Sequence, residues 1–342
     1  MQPGNHSTSA PSPAIVFQML NAHQQTEALR AAIELGIFAE LGGGSATAEQ
    51  LADRCSASLR GIRILCDFLT VCGLLQKTGG IYSNSPTAAT FLDPKSPACL
   101  AATARFLGLP AFREPFLELA AVVRNGRTTM HGEGTVEPEN PVWVEFAHSM
   151  APMMAPLAAP LGAIVLEGRT TPMDVLDIAA GHGLFGIEIA RQNPNAQVTA
   201  LDWASVLEVA QANARKAGVA ARLKLLPGSA FDVDFGGPYD EVLLTNFLHH
   251  FDVERNIAML AKVRAALKPG GSAAILEFVP NEDRVSPPMS AAFALTMLAS
   301  TAHGDAYTLR EYTEMAQAAG FTFVTAHPVP MSPHTIVVAH TS

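Results

Sequence analysis

Positive charge is scarce in this sequence. Only 22 of 342 residues are Lys or Arg, spread thinly, and the formal net charge is −9. Neutralising the phosphates of a nucleic acid takes clustered cations, so a polyanion partner is not expected. Cysteine is rarer still. Cys55, Cys66, Cys72 and Cys99 form no C-x-x-C pair, which reads as reduced structural thiols in a cytoplasmic protein. The amino terminus lacks both the basic and the apolar region of a signal peptide. Met1 to Pro13 are largely Ser, Thr, Pro, Asn and Gly, the composition of a disordered, solvated tail. The one long apolar stretch, Pro141 to Leu166, contains Glu145, His148, Pro152, Pro156 and Pro160. These groups are costly in lipid, so burial in protein is expected and no membrane partner.

What is present is apolar material, 49% of the chain, enough for two domains with cores of their own. The chain is organised around Asp177-Ile178-Ala179-Ala180-Gly181-His182-Gly183-Leu184-Phe185-Gly186, between an apolar run and a helical pattern. It reads as strand, glycine turn, helix. Gly181 permits positive φ, Gly183 lets a ligand approach bare backbone, and the helix N-terminus offers unpaired N–H groups. The six residues from Gly181 also spell the G-x-G-x-x-G of dinucleotide binders, which alone is a weak signal. Asp177, at the strand's carboxyl end, can face a cation. A second strand ends at Asp202, placed to accept hydrogen bonds from ribose hydroxyls. Two acids and no base in the turn suit a positively charged ligand.

These letters, with "VTALD" and "LKPGG" further on, resemble a class I S-adenosylmethionine-dependent methyltransferase. From about residue 14 onward the chain resembles the two-domain small-molecule O-methyltransferases of plant phenolic, animal hydroxyindole and bacterial natural-product metabolism. The fold expected is α/β: a doubly wound, mostly parallel, seven-stranded sheet over 171–342, binding S-adenosylmethionine. It follows a winged-helix-like, all-helical domain over 14–100 and a helical connector over 101–170. The first of these carries a capping box at Thr47-Ala48-Glu49-Gln50 and a hairpin about Thr78-Gly79-Gly80. A winged helix raises a DNA-binding regulator as the alternative, but Asp67 and the apolar Ile62, Ile64, Leu65, Phe68 and Leu69 on its third helix suit a protein surface better. The resemblance implies a homodimer through this domain.

The remaining site residues follow from the resemblance and their positions. Asp202 is read as the ribose ligand, with a helix N-cap as the plainer alternative; Trp203 either covers the adenine or belongs to the core. Ser229, Ala230 and Phe231 stand where the family holds adenine. Ser229 replaces the usual acid, which leaves Ser229, Asp232 or backbone for that task. Asn246 begins the motif that places His249 as general base, since a phenol of pKa about 10 needs a proton acceptor near 6.5. His250 is read as structural and pointing elsewhere, and no metal is expected. The acids that flank the base in the family are read as lost to Ala294 and Ala306, leaving His249 without an orienting partner. Phe146, Met150 and Met153 of the connector, and Met289, Phe293 and Met297, are candidate walls of the acceptor pocket. N- or C-methylation and an NAD-type oxidoreductase stand as further alternatives.

Overall fold

The structure, a computed structural model, describes residues 11–342; most of the tail expected at the amino terminus lies outside the described residues. Two compact units are present, the second beginning at Pro110.

The first unit comprises α1 (Ala14–Leu20), α2 (Ala22–Glu34), α3 (Ile37–Glu40), β1 (Ser45–Thr47), α4 (Ala48–Arg54), α5 (Leu59–Val71), β2 (Leu75–Thr78), β3 (Ile81–Asn84), α6 (Pro86–Phe91) and α7 (Ala101–Leu107). The expected hairpin is β2–β3, closed by Gly79 and Gly80 at φ 56° and 84°, the left-handed pair that matches strand twist in a two-residue loop. β1 adds a third, antiparallel strand, so the unit is not purely helical. Thr47 and Gln50 make the predicted capping box. The long helical pattern before it is interrupted at Asn21 and again at Gly36, which sits at φ 73°. Phe38, Leu51, Ile62, Leu69 and Tyr82 form the core. α7, read from sequence as connector, packs on α2 and belongs to this unit. α1 has no buried residue and exposes Ile15, Val16, Phe17, Met19 and Leu20.

The second unit contains α8 (Pro110–Leu117), α9 (Leu119–Asn125), α10 (Val142–Leu166), β4 (Met173–Ile178), α11 (Leu184–Gln192), β5 (Ala196–Asp202), α12 (Ala204–Lys216), β6 (Leu223–Pro227), β7 (Tyr239–Thr245), α13 (Val253–Ala266), β8 (Leu267–Phe278), α14 (Pro288–Ser300), α15 (Leu309–Ala318), β9 (Phe323–Pro328) and β10 (His334–His340). Its seven strands run in the order β6-β5-β4-β7-β8-β10-β9. The first five are parallel, and β10 pairs antiparallel with both β8 and β9. Strand interiors read as continuous apolar runs because helices cover both faces; Leu176, Ile178, Val242, Leu244 and Ile275 are fully buried.

α10 is 25 residues long and apolar enough to cross a membrane by length and composition, with a hydropathy of 1.6. Half of that window is buried in protein, where the helix packs on α11 and α12. Its prolines recur every four residues, so the missing N–H donors fall along one side. The chain order reverses between β4 and β7, and the crevice outside their carboxyl ends is where an open parallel sheet binds ligands.

Candidate active site

That crevice opens into a cavity of about 780 Å³. β4 leads into its floor. Ala179, Gly181 and Gly183, at alternate positions, take φ of 53°, 55° and 72°, a tight turn that delivers the chain to the start of α11. A Cβ on Gly181 would meet only Ala179 O, at 3.8 Å, so the backbone there is open to a ligand. A Cβ on Gly183 would stand 2.9 Å from that of Ala210. Gly183 is therefore required by packing against α12 and is not part of the cavity wall.

The two acids of the motif take different roles. Asp202 lines the cavity. Its Oδ2 accepts the Gly181 N–H at 2.8 Å and its Oδ1 the Trp203 N–H at 2.7 Å, leaving each oxygen a lone pair for a further donor. Burial pushes its pKa up to about 6, against the two backbone donors, so it is ionised at neutral pH. α12 is capped at Trp203 without a side-chain bond; Asp202 is not spent as a helix cap. Trp203 lines the cavity and also packs on the cluster of Val206 and Ala147. Asp177, by contrast, does not face the cavity as expected. It is 1% exposed and turned under the glycine turn, where Oδ2 accepts the Gly186 N–H at 3.1 Å. Its Oδ1 has no partner among the described residues, and burial raises the carboxyl to about 7.

Ser229, Ala230, Phe231 and Asp232, after β6, form one wall, and Asn246, after β7, another. Asn246 is held at φ 52°, with His334 Nε2 3.1 Å from its Oδ1 and its Nδ2 3.5 Å from Met154 Sδ. Phe146 lines the cavity from α10 together with Trp143 and Met154. Met150 and Met153 do not line it, and Met150 is buried at 5% exposure. The second predicted wall is absent from this cavity. Met289 is 65% exposed, Met297 is core at 5%, and Phe293 stacks on Phe278 with ring centroids 3.9 Å apart.

The histidines also depart from expectation. His250 lines the cavity, edge-on to Trp143 at 5.4 Å, whereas the sequence reading pointed it elsewhere. His249 lies directly behind it, ring centroids 4.1 Å apart, with Phe293 edge-on at 4.8 Å. Nor is His249 without an orienting acid. Its Nδ1 stands 2.5 Å from Glu277 Oε2, while Glu277 Oε1 accepts the backbone N–H groups of Phe247 and His249 at 2.9 and 3.3 Å. Glu277 is the last residue but one of β8, two strand ends across from the glycine turn, and 28 residues from His249 no local pattern marks the pair. Burial raises the Glu277 carboxyl and lowers the imidazole; with Nδ1 engaged by Oε2, Nε2 is the ring nitrogen left over.

The wall is acidic. Glu133, Glu139, Asp202 and Asp232 face Arg255 as its one Lys or Arg, and Arg255 is bound to Glu133 at 3.1 Å. Open backbone at Gly181, a carboxylate with lone pairs to spare and a net negative lining fit a cationic nucleoside such as an adenosyl sulfonium.

Comparison with known proteins agrees. The O-methyltransferase domain family matches residues 161–322 and the O-methyltransferase dimerisation domain residues 17–94. A crystal structure from Nostoc punctiforme, of a protein assigned as an O-methyltransferase, is 45% identical with a TM-score of 0.94, covering 97% of this chain and 100% of that one. The chain belongs to the O-methyltransferase family. The 3-hydroxy-5-methyl-1-naphthoate 3-O-methyltransferase of Streptomyces sahachiroi is 29% identical over 324 residues, 90% of this chain and 89% of that protein. Human N-acetylserotonin methyltransferase, solved with S-adenosylmethionine, shares the fold at a TM-score of 0.84 and 21% identity, covering 98% and 99% of the two chains. As an O-methyltransferase the protein moves a methyl group from S-adenosylmethionine to a hydroxyl of a small molecule. The oxidoreductase and regulator alternatives fall with this assignment.

Proposed function

We propose that the acceptor is an aromatic hydroxy compound, that His249 takes its proton, and that Glu277 holds His249 in the productive orientation. The observation that carries this is the 2.5 Å contact between His249 Nδ1 and Glu277 Oε2 beside the cavity. An imidazole fixed at Nδ1 presents Nε2 as its only proton acceptor. With the imidazole lowered by burial, Nε2 is unprotonated at neutral pH, and the carboxyl group at Nδ1 offsets the weakened basicity by stabilising the imidazolium that forms when a phenolic proton is taken. Trp143, Phe146, Phe247 and Phe251 supply flat apolar walls for an aromatic ring, and the Streptomyces relative acts on a hydroxynaphthoate. S-adenosylmethionine, when bound, supplies a methyl group made electrophilic by its sulfonium. For this chain's part, Asp202 and the Gly181 backbone hold the donor, Asn246 and Phe247 close the wall between donor and acceptor, and the aromatic side chains exclude water.

A second reading has its own observation, since His250 and not His249 lines the cavity. Turnover of a panel of hydroxynaphthoates, read by mass spectrometry, separates the two. His249→Ala is expected to lower kcat about 10²- to 10⁴-fold and His250→Ala far less, with binding of S-adenosylhomocysteine unchanged in both. The reverse order would move the base to His250.

The matched dimerisation domain and the exposed apolar α1 support a homodimer. Phe17→Glu combined with Leu20→Glu should shift the mass by light scattering from twice 36.1 kDa to a single chain; an unshifted dimer would place the contact elsewhere. The four unpaired thiols support a reducing, cytoplasmic setting.

A further inference from the structure

Behind the wall that follows β6, three backbone carbonyls converge on one ammonium. Lys262, on α13, holds Nζ 2.9 Å from Ala230 O, 3.0 Å from Phe231 O and 2.7 Å from Val233 O. These contacts use all three of its N–H donors. The same Nζ lies 4.2 Å over the Phe235 ring, a cation–π contact that fixes the side chain from another direction. The segment it holds is irregular: β6 ends at Pro227, Gly228 takes φ 137°, and residues 229–232 all face the cavity.

A planar trans peptide sets its N–H opposite its C=O. Drawing the Ala230 and Phe231 carbonyls toward Lys262 therefore turns the N–H groups of Phe231 and Asp232 the other way. There they meet Ser229: Phe231 N–H donates to Ser229 Oγ at 3.2 Å, and Asp232 N–H to Ser229 O at 3.1 Å. Gly228 N–H in turn donates to Asp202 O at 2.9 Å, so the segment starts beside the acid placed for the ribose. The heterocycle carried by that ribose must lie against the neighbouring wall, which is this segment. With Ser229 where an acid would otherwise grip the base, the shape of the backbone carries more of the recognition.

We infer that Lys262 is a positioning residue of the methyl-donor site, clamping residues 229–233 in the form that receives the purine of an adenosyl ligand. The inference rests on the donor assignment and adds to it the element that shapes the donor's purine side.

The experiment is calorimetric titration of S-adenosylhomocysteine, and separately of adenosine, into the full chain and its variants. Lys262→Met removes every donor and is expected to weaken both ligands about tenfold. Lys262→Arg, which keeps charge and donors, should stay within about threefold of the wild type, and Lys262→Gln, which is neutral but polar, should fall between them. A purely structural lysine would lower the thermal midpoint of the unliganded protein without this graded loss and rescue. The role of Lys262 is overturned if Lys262→Met or Lys262→Gln binds S-adenosylhomocysteine as tightly as the wild type, or if only adenosine binding survives. Should the wild type itself fail to bind, the donor assignment falls as well.

Discussion

The two halves of the cavity are built by different means. On the side of β4, β5 and β6, polar groups are satisfied mainly by backbone: Asp202 takes two N–H groups, Asp177 takes one, and Lys262 takes three carbonyls. On the side of β7, β8 and β10 they are satisfied largely by one another: His249 with Glu277, Asn246 with His334 and Met154. A site made of backbone recognises a ligand's shape and tolerates much change in side chains. A site made of coupled side chains sets protonation states and fails when one member is altered. On the proposed reading, the donor meets the first kind, and the acceptor, whose proton must be removed, meets the second.

Breaking the acceptor half should therefore cost rate and spare affinity. The largest effect is expected from Glu277→Gln. An amide N–H facing Nδ1 forces the proton onto Nε2, the tautomer that cannot accept, and kcat should fall about a hundredfold or more while calorimetric binding of S-adenosylhomocysteine is retained. Unchanged kcat in this variant would detach Glu277 from the reaction. Breaking the donor half should do the opposite. Asp202→Ala removes an ionised acceptor beside open backbone, and the dissociation constant for S-adenosylhomocysteine should rise about tenfold to a hundredfold. If affinity holds, the ribose lies elsewhere.

A smaller effect sharpens the comparison from outside both halves. Glu241, near the amino end of β7, is fully buried with Oε2 on Ser272 at 2.6 Å and Oε1 unpartnered among the described residues. Burial raises its pKa from 4.5 to about 8. Between those values the folded protein keeps a proton that the unfolded chain has lost. Its contribution to stability is thus complete below pH 4.5 and is lost as pH rises through 8. Glu241→Gln, neutral at every pH, should match the wild type in thermal midpoint near pH 5 and exceed it by a few degrees at pH 8.5, with kcat unaltered. A gap that does not widen with pH would show that Glu241 is ionised in the fold.

The same division explains what could be read from the residues alone. Signals contained in a few consecutive positions were legible: the capping box at Thr47, the Gly79-Gly80 hairpin, the glycine turn and Asp202 at a strand end. These are local competitions among φ, hydrogen-bond donors and strand ends, and tertiary contacts have little to add. Glu277 escaped because nothing near it in the chain distinguishes it from any other residue closing an apolar strand; the register of β7 on β8, Thr245 to Leu276, brings it to His249. The methionines escaped for a related reason. Helical spacing groups Phe146, Met150 and Met154 on one stripe, yet Phe146 and Met154 meet the cavity and Met150 does not, a difference set by the elements packed along the helix and not by spacing. Lys262, one of the few cations in an acidic chain, carried no signal at all, because its partners are main-chain oxygens that every residue has.

The strand order has a consequence for how the enzyme is made. β9 leaves the ribosome before β10, yet among the described residues its one sheet neighbour is β10, which slots between it and β8. Until that last strand emerges, β8 presents a bare edge and β9 has nothing to pair with. His334, which braces Asn246, arrives on the same strand. The nascent chain can thus assemble the five parallel strands and the glycine turn while still being translated, but the wall on the acceptor's side closes only when β10 is free to insert. A molecule stalled late in synthesis would hold the architecture for its donor before it holds the means to use it.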